Sequence, residues 1–246
     1  RSINMSGVNS INWARIIAQS VYYFYAHFKL EKDNISFSVP TGNFGDVFAG
    51  YLAKKMGLPI DKLIVATNEN DILHRAITKG DYISKEVRET LSPSMDIQLA
   101  SNFERLIYYV NNSNSEKTAE IMKKIKLNSY QIEKNNLDVI QEDFLSESCN
   151  EKETLGIIKK NYEENGVVLD PHTAIGVGAA QKLSFSDCVV LSTAHPSKFP
   201  DATDNAINKH EKLPEELQHV LDKNENFQVL ENNTDKVKKF IKSKIL

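Results

Sequence analysis

Cysteine is scarce: Cys149 and Cys188 are the only two in 246 residues. Two cysteines so far apart make neither a dense disulfide framework nor a metal-ligand spacing. A chain that does without disulfides suits a reducing compartment, so a cytoplasmic location is expected. Cys188 lies in the apolar run from Asp187 to Leu191 and reads as a small core residue. No apolar stretch approaches the roughly 20 residues of a membrane-spanning helix, so no membrane partner is expected. Charge of one sign is lacking too. Lys and Arg number 30 against 33 Asp and Glu, a net −3 with a pI near 6.1. That gives no positive field for nucleic acid, and the Lys-rich run 236–239 reads as a solvated helix face. His27, His74, His210 and His219 have no metal-ligand spacing, so no metal is expected. No internal repeat and no secretory leader is visible.

What is present is an ordinary globular composition, 41% hydrophobic and 26% charged. The spacing predicts a long helix over 9–30, with Ile17, Val21, Phe24 and Phe28 on one face and Asn9 or Ser10 as cap. Its many aromatics predict deep packing. A buried strand follows at Ile35–Val39, then a glycine loop, then a helix stopped near Gly57-Leu58-Pro59. Leu63–Ala66 reads as the next strand and Ile72–Thr78 as a helix. This alternation predicts an α/β fold, a mostly parallel sheet with helices on both faces and ligands at the strands' carboxyl ends. Residues 101–165 read as a helical insertion on the flank, with helices over 102–111, 115–126, 137–145 and 151–165. A short strand is expected at Val167–Leu169, a helix from Pro171 to Lys182 and a core strand at 187–191. A helical tail is expected over about 205–246, ending in a helix from Asp235 with Val237, Phe240, Ile241 and Ile245 as its face.

The segment Ser38-Val39-Pro40-Thr41-Gly42-Asn43-Phe44-Gly45-Asp46-Val47 carries most of the chemistry. Strand, glycine turn, helix is the arrangement in which backbone N–H groups and a positive dipole end cradle an anion, most often a phosphate. The glycines permit close approach and positive φ. Backbone amides do the binding, so Phe44 need only keep its N–H. Asp46 is ill-suited to sit beside a phosphate and reads as a helix cap held away from it. An ordinary turn capped by Asn43 or Asp46 remains the alternative. Asn9, Ser10, Asn12 and Arg15 form a polar cluster at a helix start. Arg15 with Ser10 suits a second phosphate, through a charge-assisted pair and the dipole. Two caps and a surface arginine explain the same residues. Asn68, Asn70, Asp71, Asp170, His172 and Thr193 follow strand ends. Thr193, taken alone, reads as a structural cap more often than as a ligand.

Other stretches join the glycine loop in a fixed order. They are Asn9-Ser10-Ile11-Asn12-Trp13-Ala14-Arg15, Ala66-Thr67-Asn68-Glu69-Asn70-Asp71, and Ser92-Pro93-Ser94-Met95-Asp96-Ile97 with Ser101-Asn102-Phe103-Glu104-Arg105. Asp170-Pro171-His172-Thr173-Ala174 and Ser192-Thr193-Ala194-His195-Pro196 complete the set. Together, over about residues 4–205, they resemble the C-terminal portion of threonine synthase of the bacterial and fungal type. That family is pyridoxal-phosphate-dependent, of fold type II. The resemblance implies pyridoxal 5′-phosphate (PLP) as cofactor, its phosphate on Gly42, Asn43, Phe44, Gly45 and Asp46, and its pyridine nitrogen facing the Thr193 hydroxyl. It implies that Asn9, Ser10, Asn12 and Arg15 bind the substrate, O-phospho-L-homoserine, which reacts with water to give L-threonine and phosphate. The Schiff-base lysine lies in an earlier region of the family, as does the loop that holds the substrate carboxylate. No catalytic residue is therefore assigned in this chain. It begins at Arg1, reads as lacking the N-terminal part, and is expected to be inactive without that partner. His172 and His195 are left supporting roles. Two alternatives stay open: a related serine/threonine dehydratase, which needs no second phosphate site, and a non-catalytic fragment that binds PLP or phosphate.

Overall fold

In a computed structural model that describes residues 7, 9–220 and 222–245, the first regular element is α1, Trp13–Leu30. β1 (Ile35–Pro40) then leads through the glycine loop into α2 (Gly45–Lys55), β2 (Ile60–Thr67) and α3 (Ile72–Lys79). Next come α4 (Phe103–Val110), α5 (Ser115–Lys126), α6 (Lys134–Asp143), β3 (Phe144–Ser148) and α7 (Glu151–Asn165). α8 (Pro171–Lys182), β4 (Cys188–Val190) and α9 (Pro200–Ile207) follow. The strands form one parallel sheet in the order β3-β2-β1-β4.

Side-chain alternation along the strands divides the core between two faces. Phe37, Val39, Leu63, Val65 and Phe144 pack with residues of α1, α2, α3, α4 and α6. Ile64, Ala66 and Leu145 turn the other way, onto Ile175 and Ala179 of α8. Helices therefore cover both faces, as the alternation of elements predicts. No helix among the described residues is long and apolar enough to cross a membrane.

The structure departs from expectation at several places, each with a packing cause. Helix α1 is capped by Asn12, whose Oδ1 accepts from the Ala14 N–H at 2.9 Å; Asn9 and Ser10 lie in the preceding turn. Its buried residues are Ile16, Ser20 and Tyr23, while Ile17, Val21 and Phe28 are exposed. α1 is apolar around most of its circumference, so spacing alone fits more than one stripe. Gly50 of α2 selects the stripe: a Cβ there would meet the Tyr23 ring at 2.5 Å. The expectation of deep packing fails for the same helix, since Val21 and Tyr25 are each about 60% exposed.

Within 101–165 the helices at 115–126 and 151–165 fall as expected, but the one expected over 137–145 ends at Asp143. Phe144–Ser148 becomes the edge strand β3, paired with β2, and Phe144 is buried against Tyr51. No strand forms at 167–169. Val168 and Leu169 pack beside Ile158 and Ala174 without a ladder partner. α9 packs on α7, so the first compact unit extends to Glu211. The second unit, 212–246, contains α10 (Glu215–Gln218) and α11 (Thr234–Ile245). Val237, Phe240 and Ile241 are half-buried on α11. The Ile245 side chain and Leu246 lie outside the described residues.

Candidate functional site

β1 is buried along its whole length between β2 and β4, and delivers the glycine loop at the sheet's carboxyl edge. The Thr41 N–H donates to the Ala66 carbonyl at 2.8 Å, carrying the pairing one residue past the strand. The chain then turns against the 3-10 turn Pro93–Met95. A Cβ on Gly42 would collide with the Ser94 carbonyl oxygen, so only glycine permits this approach.

In this loop positive φ does not fall on a glycine. Phe44 adopts it, at 63°, and neither Gly42 nor Gly45 does. A left-handed phenylalanine costs about 1–2 kcal/mol. Burial offsets this: the Phe44 ring is fully enclosed, 5.2 Å from Phe103 and 5.7 Å from Phe144 between centroids. Phe44 thus does more than present an N–H. α2 then begins at Gly45 with no side chain capping its first turn. Asp46 does not cap it, contrary to expectation. The residues of that first turn line a cavity of about 170 Å³, and a helix start carries unpaired amides and the positive dipole end.

Ser10, Arg15 and Gln19 line this same cavity, opposite Gly42–Asp46 and beside Ser94. The two clusters expected as separate anion sites therefore share one space. Asn102 holds them together. Fully buried, it donates from Nδ2 to the carbonyls of Ser10 and Asn43, each at 3.1 Å. Its own N–H donates to Asn43 O. Arg105 steadies the assembly, donating to Asn102 Oδ1 at 3.1 Å and to Ile11 O at 2.9 Å, with its guanidinium over Trp13. Asn9 and Asn12 are engaged in local turn and cap bonds and do not line the cavity.

Asp46 is mostly buried at the cavity wall. The Tyr23 hydroxyl donates to its main-chain oxygen at 2.8 Å and lies 3.4 Å from Oδ1. Burial pushes the Asp46 carboxyl up to about 6, against a smaller lowering by Tyr23. Burial foremost, and Asp46 next, hold the Tyr23 hydroxyl well above its ordinary range.

Thr193 lies outside the 170 Å³ cavity and is exposed. It follows β4, which pairs with β1, so it shares the carboxyl edge with the glycine loop. Its N–H donates to Thr173 Oγ1 at 3.4 Å, and that hydroxyl donates to Asp170. Asp170 caps α8 and accepts from His172 Nδ1 at 2.9 Å. His195 caps the turn Pro196–Lys198. Asn68 and Asn70 donate to Asp96 Oδ1 at 2.8 and 2.9 Å, which orders the segment that carries Ser94. Asp71 pairs with Arg75. A larger groove of about 950 Å³ lies between α4 and α5. Its walls are mainly aromatic and aliphatic, with Asn102, Glu104 and Arg105 among them.

Sequence reasoning missed Gln19, Ser94 and Asn102. Gln19 is one helical turn beyond Arg15. Ser94 and Asn102 sit in stretches that carry the family resemblance, yet no periodicity or motif chemistry marks them.

Comparison with known proteins agrees with this fold. Residues 173–241 match the family model "Threonine synthase, C-terminal". The threonine synthase of Pseudomonas aeruginosa is 44% identical over 98% of this chain and 53% of its own length. That of Saccharomyces cerevisiae is 45% identical over 88% of this chain and 48% of its own. The crystal structure of a PLP-bound threonine synthase from Brucella melitensis superposes with a TM-score of 0.91 at 44% identity, covering 97% of this chain and 52% of that one. The sheet, the glycine loop and these likenesses place the chain in the threonine synthase family, of whose curated relatives it spans about half the length.

Proposed function

We propose that this chain forms the PLP-binding part of a threonine synthase, an enzyme that converts O-phospho-L-homoserine and water to L-threonine and phosphate. One observation carries the reading: an uncapped helix start, a glycine loop and an arginine converge on one cavity, in a chain 44% identical to a PLP-bound threonine synthase. The residues present fit a phosphorylated cofactor. Amides of Gly42–Asp46 hold its phosphate, and Gly42 keeps the loop against Ser94. Thr193, at the end of the neighbouring strand, offers a hydroxyl that donates to a neutral pyridine nitrogen. Bound PLP supplies an electron sink for charge developing at the substrate carbons. Arg15 and Ser10 hold the substrate phosphate across the cavity from the cradle. A dehydratase has no use for that second phosphate, so their convergence favours the synthase. We place the cofactor-bonded lysine in the half of the enzyme that this chain does not span, and expect no turnover without it. Two free thiols suit a cytoplasmic setting.

The test uses pyridoxamine 5′-phosphate, which has no aldehyde to react with surface lysines. The chain is expected to bind it, to lose it to inorganic phosphate, and to ignore pyridoxamine. Equal binding of both amines would overturn the phosphate cradle.

A further inference from the structure

Asp46 puts an acidic residue on the wall of the proposed phosphate cavity. The residue does not cap α2, so helix capping does not account for it. It lines the cavity, and among the described lining residues the one other ionisable group is Arg15. Ser94 and the other residues of the glycine loop are neutral, as is Asn102 behind them. From α1, Tyr23 contacts Asp46, but its hydroxyl is directed mainly at the main-chain oxygen, 2.8 Å away, and only weakly at Oδ1, 3.4 Å away.

We propose that Asp46 receives the phosphate as a neutral carboxylic acid, donating its O–H to a phosphate oxygen, so that binding takes up one proton from solvent. This rests on reading the cavity as a phosphate site. The balance is simple: carboxylate, proton and phosphate dianion become carboxylic acid hydrogen-bonded to phosphate dianion. No bond to phosphorus changes. The cost of protonation is small, because burial already raises the carboxyl to about 6, and a nearby dianion raises it further. The proton turns a repulsive neighbour into a donor. Arg15 offsets charge; Asp46 supplies the hydrogen bond.

Sulfate is the probe, because it stays a dianion from pH 5 to 8 while phosphate titrates. Calorimetry in two buffers of different ionisation enthalpy counts protons directly. The full chain at pH 7.5 is expected to take up close to one proton per sulfate. Its affinity is expected to fall about tenfold per pH unit between 6.5 and 8. Asp46→Asn should bind with no proton uptake and no pH slope, and at least as tightly as wild type at pH 8. Tyr23→Phe should keep the uptake. Bound sulfate without proton uptake, or an unchanged slope in Asp46→Asn, would overturn the coupling alone. Failure of sulfate to bind at all, in wild type and in Asp46→Asn alike, would overturn the phosphate-site reading as well.

Discussion

Gly42 and Gly45 look equivalent in the loop, yet they should respond differently to the same added methyl. A Cβ on Gly42 would overlap the Ser94 carbonyl, which belongs to the backbone and cannot rotate away. A Cβ on Gly45 would sit 3.5 Å from Asn102 Nδ2 and 3.8 Å from Gln19 Oε1, ordinary contact distances. Overpacking of a fitted site typically costs about 1–3 kcal/mol. At roughly 2–4 °C of melting temperature per kcal/mol for a chain this size, Gly42→Ala should melt lower by several degrees. Gly45→Ala should stay near wild type. In Gly42→Ala the displaced loop should also lose phosphate affinity by about tenfold. Gly45→Val, whose branches reach toward Gln19 and Ser10, should weaken phosphate binding with less loss of stability. Differential scanning fluorimetry and phosphate titration on the three variants decide the matter. A neutral Gly42→Ala, or equal losses at both alanines, would refute the argument from close approach.

Asn102→Ala removes donors to Ser10 and Asn43 and an acceptor for Arg105, and at about 1 kcal/mol net per bond should cost roughly 2–4 kcal/mol in chemical denaturation. It should weaken phosphate and substrate binding together, because it joins both walls. Arg15→Ala should lower the affinity for O-phospho-L-homoserine or inorganic phosphate by roughly ten- to a hundredfold, the weight of a charge-assisted contact. Arg15→Lys should recover part of it, since an ammonium lacks the two-pronged fork. Asp46 should also mark the pH dependence of stability. Its folded value is raised by burial to about 6 from an ordinary 3.8. Stability held by the neutral carboxyl is thus fully present below about 3.8 and lost as pH rises through about 6. At about 1.4 kcal/mol per pKa unit the difference from Asp46→Asn should reach at most about 3 kcal/mol by pH 7.

Local signals made part of this fold legible. Helices α5 and α7 begin where expected because Asn114 and Asn150 cap their N-termini, the latter with Glu153 in a capping box. The strand–loop–helix at Ile35–Lys55 was legible from an apolar run, glycines and a change of period. The missed features depend on distant partners. β3 is a strand only because β2 offers it a ladder, and its sequence continues the helical pattern before it. The packed stripe of α1 is set by Gly50, twenty or more residues on. The left-handed turn went to Phe44 because two phenylalanines from α4 and β3 enclose its ring. Arg15 and the cradle meet through Asn102, a contact spanning 92 residues between Ser10 and Asn102.

The central claim is that Gly42–Asp46, with Arg15 opposite, forms a phosphate-binding cavity. Backbone amide shifts recorded while pyridoxamine 5′-phosphate is titrated into the chain test it most directly. The account predicts that the amides of Asn43, Phe44, Gly45 and Asp46 move together with that of Arg15, saturating with one affinity. Static signals there, or movement confined to the aromatic groove between α4 and α5, would contradict it.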